Sequence, residues 1–218
     1  METYLVFKVS FCNFGQNMKK TIVLKASELF LQLGFKSVTM DDLAEALGVS
    51  KKTLYSHFEN KKQLVRETSG FIFDQACREI EEIKKQAIHP IEELFTIKTA
   101  MLKYFQNETT SPAYQLQKYY PDIYSNLKDQ EYDRLGGLVK SSLNIGIQTG
   151  LFRPNINVNF ISRLYMNGMR GIRDFDLFPP NEFDIKTLFE SYLEYHSRAI
   201  VTPKGLTILN EFIATNVK

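Results

Sequence analysis

The densest set of side chains able to hold another molecule lies between Ser50 and Phe58. Ser50 is a preferred helix N-cap, and Leu54 and Phe58 share one helical face at i, i+4 spacing. The side chains left on the outer surface and flanks are Lys51, Lys52, Thr53, Tyr55, Ser56 and His57. Such groups hold phosphate oxygens, and a short helix fits the DNA major groove, where its first residues reach base edges. The alternative interpretation is a solvated helix whose lysines face water.

A second short helix is predicted directly before this one. Thr39 begins it, with Asp42 three residues later as a capping partner, and Gly48 ends it after about two turns. Ala44 is small, which lets this helix pass close to the next. Residues 39–58 therefore predict a helix-turn-helix.

Helical periodicity continues on both sides of this motif. Apolar residues recur at helical spacing from Ile22 to Leu33, and the capping pair Asn60 and Gln63 opens a long helix reaching about Lys85. Further helices are predicted at roughly 91–106, 113–128, 130–149, 157–174, 183–200 and 204–214. The expected fold is all-α, a three-helix head joined by a long helix to a helical-bundle body that binds a ligand and dimerises. The expected divisions are an extension of unknown role at 1–17, a DNA-binding domain at 18–64 and the body at 65–218.

Charge separates the head from the body, and composition excludes several classes of protein. Residues 18–66 hold nine basic and five acidic residues, whereas 67–218 hold 17 and 19. A basic head favours a polyanionic partner. The two cysteines and three histidines lack metal-ligand spacing, and no nucleophile motif is present, so we expect no cofactor, no metal and no enzyme activity. No apolar run is long enough to span a membrane, and a cytoplasmic location is expected.

Residues 22–68 resemble the TetR family of transcriptional regulators. The resemblance rests on Ala26, Phe30, Gly34-Phe35, Thr39, Leu43-Ala44, Gly48-Val49-Ser50, Thr53-Leu54-Tyr55, His57-Phe58, Lys61 and Leu64. By position, it implies phosphate contacts from Thr39, Ser50, Thr53, Tyr55 and Lys61. It implies a part in choosing the base sequence for Lys51, Lys52 and His57.

For the body, the resemblance implies a homodimer with a cavity for a small-molecule effector in each subunit. Aromatic residues cluster in the middle of the body, and tyrosines suit a pocket for a mostly apolar ligand. The candidate pocket residues are Tyr104, Phe105, Tyr119, Tyr120, Tyr124 and Arg170. Ordinary helix packing is an equal alternative for each tyrosine. Arg170 and Arg173 lie on an otherwise apolar stretch, where they could meet an anionic group or a carboxylate of a partner chain.

The last two long amphipathic stretches, 157–174 and 183–200, carry more apolar residues than packing on one side requires. We expect them to form a two-fold, four-helix interface between subunits. Two glycines are expected to admit a partner helix. The candidate interface residues are Phe160, Leu164, Gly168, Gly171, Leu188 and Tyr192.

With the resemblance, these patterns favour a homodimeric repressor. It is expected to bind an inverted-repeat operator in double-stranded DNA and, as the resemblance implies, to be released by an effector of unknown identity. One rival is an architectural or division-control protein that uses the same head without an effector. An enzyme whose active site is assembled from distant residues is a third class, disfavoured by the absence of a catalytic motif.

Overall fold

The computed structural model describes residues 18–86, 89–102, 104 and 112–216. The extension at 1–17 and Phe105 therefore lie outside the described residues. The predicted all-α fold is confirmed, with ten helices within the described ranges. They are α1 (Met18–Leu33), α2 (Met40–Leu47), α3 (Lys51–Tyr55), α4 (Lys61–Lys85), α5 (Pro90–Leu102), α6 (Pro112–Tyr119), α7 (Pro121–Gln148), α8 (Val158–Gly171), α9 (Ile185–Ile200) and α10 (Pro203–Asn216).

One predicted helix boundary is wrong. The sequence pattern placed helices at 113–128 and 130–149, but the structure breaks the chain at Tyr120 and then continues α7 without interruption to Gln148. Pro121 explains the break, because proline has no amide hydrogen to donate and is favoured in the first turn of a helix. The charged residues near 129 merely face solvent and do not end the helix.

Two apolar cores hold the chain together. The first buries the helices of the head and extends to Leu116 of α6 and Ile123 of α7. The second fills the body and includes Phe95, Leu193 and Leu209. Because the first core takes side chains from α6 and α7, the head packs directly against part of the body.

The terminal helix α10, whose role the sequence did not reveal, packs on the body. Leu209 is fully buried, and the rings of Phe212 and Phe95 have centroids 5.0 Å apart. A short bridge before α10 adds backbone hydrogen bonds from Arg153 N to Ile200 O (2.8 Å) and from Thr202 N to Leu151 O (2.9 Å). Helix α10 thus completes the core at the end of the bundle away from the head. Among the described helices, none has the length and apolarity required to cross a membrane.

The end of α7 requires glycine at position 146. A Cβ atom built there would overlap the ring of Phe152, which is itself 1% exposed in the body core. We predict that Gly146→Ala lowers the free energy of unfolding by about 1–3 kcal/mol, because the rigid core cannot accept the extra methyl group without shifting. Urea unfolding followed by circular dichroism measures the change.

Gly137→Ala in the same helix is the matched control. A Cβ atom at Gly137 has no neighbour within 4 Å, so this variant should gain up to about 1 kcal/mol from helix propensity. Equal stabilisation by the two variants would contradict the packing argument.

Candidate nucleic-acid interface and internal cavity

Hydrogen bonds at helix ends set the geometry of the α2–α3 pair. The hydroxyl of Thr39 accepts from the amide of Asp42 (3.1 Å), and the Asp42 carboxylate accepts from the amide of Thr39 (2.8 Å). The bond from the Thr39 backbone lowers the pKa of Asp42. Gly48 ends α2 with φ of 65°, a left-handed conformation that suits glycine. The predicted caps of this motif are confirmed.

Helix α3 is anchored from one side only. Its Leu54 is fully buried and Phe58, just after it, is 1% exposed, as the sequence spacing predicted. On the other side, Tyr55 is 45% exposed. Lys51, Lys52 and Ser56 are also exposed, while Thr53 and His57 are half-buried. The proposed DNA-contacting side chains of α3 therefore lie together on the solvent side of the head.

Lys51 is bound within the head. Its ammonium forms an ion pair with Asp41 of α2 at 2.9 Å, and this hydrogen bond raises the pKa of Lys51. Both side chains of the pair are exposed, and exposed ion pairs contribute little to stability. Exchange of Asp41 for a phosphate oxygen would therefore cost the protein little.

Lys61 lies in the first turn of α4 and reaches back across the head. Its ammonium donates to the carbonyl oxygen of Lys36 at 2.9 Å. Partial burial lowers the pKa of Lys61, and the nearby charge of Asp42 opposes that shift. The backbone of Lys61 thus lies at the N-terminus of α4, where amides favour an anion, and its ammonium lies beside Lys36.

The structure moves two predicted pocket residues to other places. Tyr119 is 38% exposed, with the Lys36 ammonium 4.3 Å from its ring centroid. Tyr120 packs on the core of the head. Neither lines the cavity described below, so their assignment to the pocket is corrected. The sequence pattern missed this because the true helix break falls at Tyr120, which redirects both side chains.

A cavity of about 840 Å³ lies among helices α4 to α9, and Leu31 and Phe35 of the head also line it. Three of the candidate pocket residues, Tyr104, Tyr124 and Arg170, are among those that line it. Most of its wall is apolar and is formed by side chains from several helices. Among these side chains are Ile80, Leu94, Ile97, Leu135, Val139 and Met166. Its volume is within the range of sites that bind drug-sized molecules.

One polar group in the cavity wall is internally satisfied. Lys84 of α4 forms an ion pair with Glu93 of α5 at 2.9 Å, with side chains 13% and 6% exposed. The hydroxyl of Ser142 in α7 donates to Glu93 and accepts from Lys84. Opposite charges cancel here, and the three helices are tied together. The sequence analysis missed this cluster, although charged residues at inward positions of amphipathic helices were a usable signal.

Buried rings form another part of the wall. His196 of α9 is 6% exposed, and burial lowers its pKa to about 4, so the imidazole is neutral at neutral pH. The Tyr165 ring lies with its centroid 5.0 Å from that of His196, and burial raises the pKa of Tyr165. Three or more His, Cys, Asp or Glu side chains arranged to hold a metal ion do not occur among the described residues.

The outer side of α8 and α9 carries exposed apolar residues. Phe160 is 60% exposed and Leu164 is 47% exposed. Tyr195, which the sequence analysis did not single out, is 73% exposed. Leu188 is half-buried. These side chains form the apolar surface, a name used below for Phe160, Leu164, Leu188 and Tyr195.

Two of the interface candidates have contacts within their own chain. The hydroxyl of Tyr192 donates to the carbonyl oxygens of Leu164 (3.2 Å) and Tyr165 (3.0 Å). A Cβ atom at Gly168 would overlap the Tyr192 ring. Gly168 thus admits Tyr192 of the same chain, which corrects the expectation that it serves a partner helix. No atom lies within 4 Å of a Cβ built on Gly171.

Comparisons with known proteins agree with this architecture. The family model described as bacterial regulatory proteins, tetR family, matches residues 22–68. The uncharacterized HTH-type transcriptional regulator YvaF of Bacillus subtilis is 27% identical over 178 residues, which are 81% of this chain and 92% of the relative. The HTH-type transcriptional repressor KstR2 of Mycolicibacterium smegmatis is 25% identical over 146 residues, covering 63% of this chain and 69% of the relative.

The fold extends the likeness through the body. The structure of a transcriptional regulator from Saccharomonospora viridis in complex with choline matches with a TM-score of 0.68 at 17% identity, over 84% of this chain and 97% of that chain. The relatives are named for regulation and not for catalysis, in agreement with the expectation that this chain is not an enzyme. The chain thus carries, at residues 22–68, the helix-turn-helix domain of the tetR family of bacterial regulatory proteins, joined to an all-helical body.

Proposed function

We propose that this protein is a repressor that binds an inverted-repeat operator as a homodimer and leaves it when a small-molecule effector enters the body cavity. The observation that carries the proposal is the one-sided anchoring of α3. Leu54 and Phe58 lock the helix to the core, while its lysines and Tyr55 remain available to DNA. A rigid helix with an exposed donor-rich side suits the major groove.

Two heads are needed for selective binding. Helix α3 has five residues, enough to cover only a few base pairs, whereas a genome offers about 10⁶–10⁹ competing sites. The apolar surface supports dimerisation, because large exposed apolar side chains on adjacent helices favour burial against a second copy. A two-fold dimer reads an inverted repeat.

Contacts of α6 supply a route from the cavity to the head. The side-chain oxygen of Gln115 accepts from the backbone amide of Lys36 at 2.8 Å, just after α1. Residues of the same helix, including Tyr114 and Gln117, line the cavity. An effector that displaces α6 would therefore move the attachment point of the head. Such a switch requires the effector to bind the released state more tightly than the DNA-bound state.

An architectural protein without an effector is the alternative. A filled body would favour it, since no ligand could then alter the arrangement of the heads. The cavity of about 840 Å³ supports the effector-responsive protein instead. The choline complex of the Saccharomonospora viridis regulator gives an example of a small molecule held by a protein of this fold.

We predict different effects for lysines at the two proposed kinds of contact. Lys61→Ala should weaken binding to specific and nonspecific DNA alike and reduce the salt slope by about one unit, because phosphates carry no base identity. Lys52→Ala should relax specificity at one operator position, with a loss of about 1–3 kcal/mol of discrimination. Fluorescence anisotropy on operator and scrambled duplexes over a range of salt concentrations measures both.

Tyr55→Ala is expected to behave like Lys61→Ala, and Tyr55→Phe tests whether the hydroxyl is responsible. Thermal melting of each variant checks that the head remains folded, since the Lys61 ammonium also donates a hydrogen bond to the backbone carbonyl of Lys36. A change of base preference by Lys61→Ala at unchanged salt slope would disprove its phosphate role.

We predict that Leu164→Glu converts the protein to monomers, because a buried carboxylate opposite its symmetry mate cannot be solvated or paired. Leu33→Glu is the matched control, since Leu33 is 50% exposed but lies at the end of α1 in the head. Analytical ultracentrifugation distinguishes the two outcomes. An unchanged dimer with Leu164→Glu would exclude this surface as the interface.

The operator is expected to be an inverted repeat, with recognition helices about 34–36 Å apart in the DNA-bound form, or a multiple of one DNA turn. A DNase footprint on the highest-affinity genomic fragment tests this expectation. Full-affinity protection of a single asymmetric half-site by a monomer would overturn the proposed mechanism.

A further inference from the structure

The charged groups of the cavity wall are not all fully hydrogen-bonded. The Lys84–Glu93 pair is neutral and internally bonded. Where α7 meets the C-terminal end of α8, however, one carboxylate faces two guanidinium groups. Glu131 lies 3.2 Å from Arg170 and 3.7 Å from Arg173, and all three side chains line the cavity. These three residues are called the guanidinium site below.

One nitrogen of the guanidinium site lacks a partner. The Nε atom of Arg170 donates a hydrogen bond to Glu131, whereas its Nη2 atom is buried without a hydrogen bond. A buried donor without a partner is costly, particularly on a charged group. Arginine presents its donors as a planar fork that matches a carboxylate, so a second acceptor is the missing element.

The rest of the cavity defines the body of the ligand. Apolar side chains from α4, α5 and α7 enclose most of the space, with Ile80, Leu94 and Leu135 among them. The remaining charged residues at the wall are all exposed, and they are Lys118, Lys128, Asp174 and Asp176. An apolar chamber with a buried, unpartnered guanidinium nitrogen in its wall suits an amphipathic molecule that carries one anionic group.

We propose that the effector is an apolar carboxylic acid whose carboxylate binds Arg170 in the guanidinium site and whose apolar part fills the chamber. The inference rests on the proposed function of the cavity. It also gives Glu131 a defined role, since this residue holds the two arginines in place and competes with the ligand for them. Removal of Arg170 and removal of Glu131 should therefore change ligand affinity in opposite directions.

The test uses the purified full-length protein without DNA and two pairs of probes. Hexadecanoate and hexadecan-1-ol have a flexible apolar part, whereas 5β-cholanate and its 24-alcohol have a rigid one. Titration calorimetry should give tighter binding of at least one acid than of its own alcohol by about tenfold. Which acid binds identifies the shape of the apolar part. Failure of both acids to bind, or equal affinity of acid and alcohol in both pairs, overturns the proposal.

Variants locate the carboxylate. Arg170→Gln should weaken binding of the acid by about tenfold or more and leave the alcohol unchanged. Glu131→Gln should strengthen binding of the acid by about fivefold or more, because it removes a competing negative charge. A purely structural role of this cluster would weaken binding in both variants, and that result would overturn the assignment.

Arg134→Gln is the matched control. Arg134 lies on α7, as Glu131 does, and forms ion pairs with Asp74 and Glu81, but it does not line the cavity. Its loss should leave the affinity of the acid unchanged, and a loss equal to that of Arg170→Gln would contradict the proposal.

Operator release is measured separately from ligand binding. An acid that binds through Arg170 without releasing the operator would support the ligand assignment and refute the proposed switch. A neutral or cationic compound that binds more tightly than the acids and releases the operator would support the switch and refute the ligand assignment.

Discussion

The apolar core that buries Leu54 and Phe58 also buries Leu116 and Ile123. The first two side chains hold α3 in place, and the other two belong to α6 and α7, which border the cavity. Because packed interiors respond to small changes in volume, a shift of α6 or α7 cannot leave the head undisturbed. The orientation of the DNA-binding surface thus depends on the same packing that forms one side of the cavity.

Polar contacts also connect the head to α6 and α7. Gln115 bonds to the backbone beside α1, and the carboxylate of Asp122 pairs with Lys62 and Arg66 at 3.0 and 3.1 Å. Both links join the head-proximal part of the chain to α6 or α7. The Asp122 links are exposed, and such pairs contribute little individually. Their geometry still favours movement of α6 and the start of α7 together with the head.

The body contains one fully hydrogen-bonded polar cluster and one that is not, and the two have different physical consequences. Lys84, Glu93 and Ser142 satisfy one another, so they join three helices at no net charge. Glu131 pairs with both Arg170 and Arg173, but the Nη2 atom of Arg170 stays without a hydrogen bond. A fully hydrogen-bonded cluster helps to specify one structure. A cluster with an unbonded donor next to a cavity is stabilised when a ligand supplies the missing acceptor.

Local residue types were sufficient for the head. The caps at Thr39, Ser50 and Asn60 and the i, i+4 pair Leu54 and Phe58 predicted three helix starts and the buried side of α3, because these interactions span only three or four residues. The body depended on contacts between distant segments. Tyr119 turned to the head, Tyr192 filled the space at Gly168, and the Arg170–Glu131 pair joined residues 39 apart in the chain. Helical periodicity marks the inward side of each helix, but only tertiary packing decides which side chains meet there.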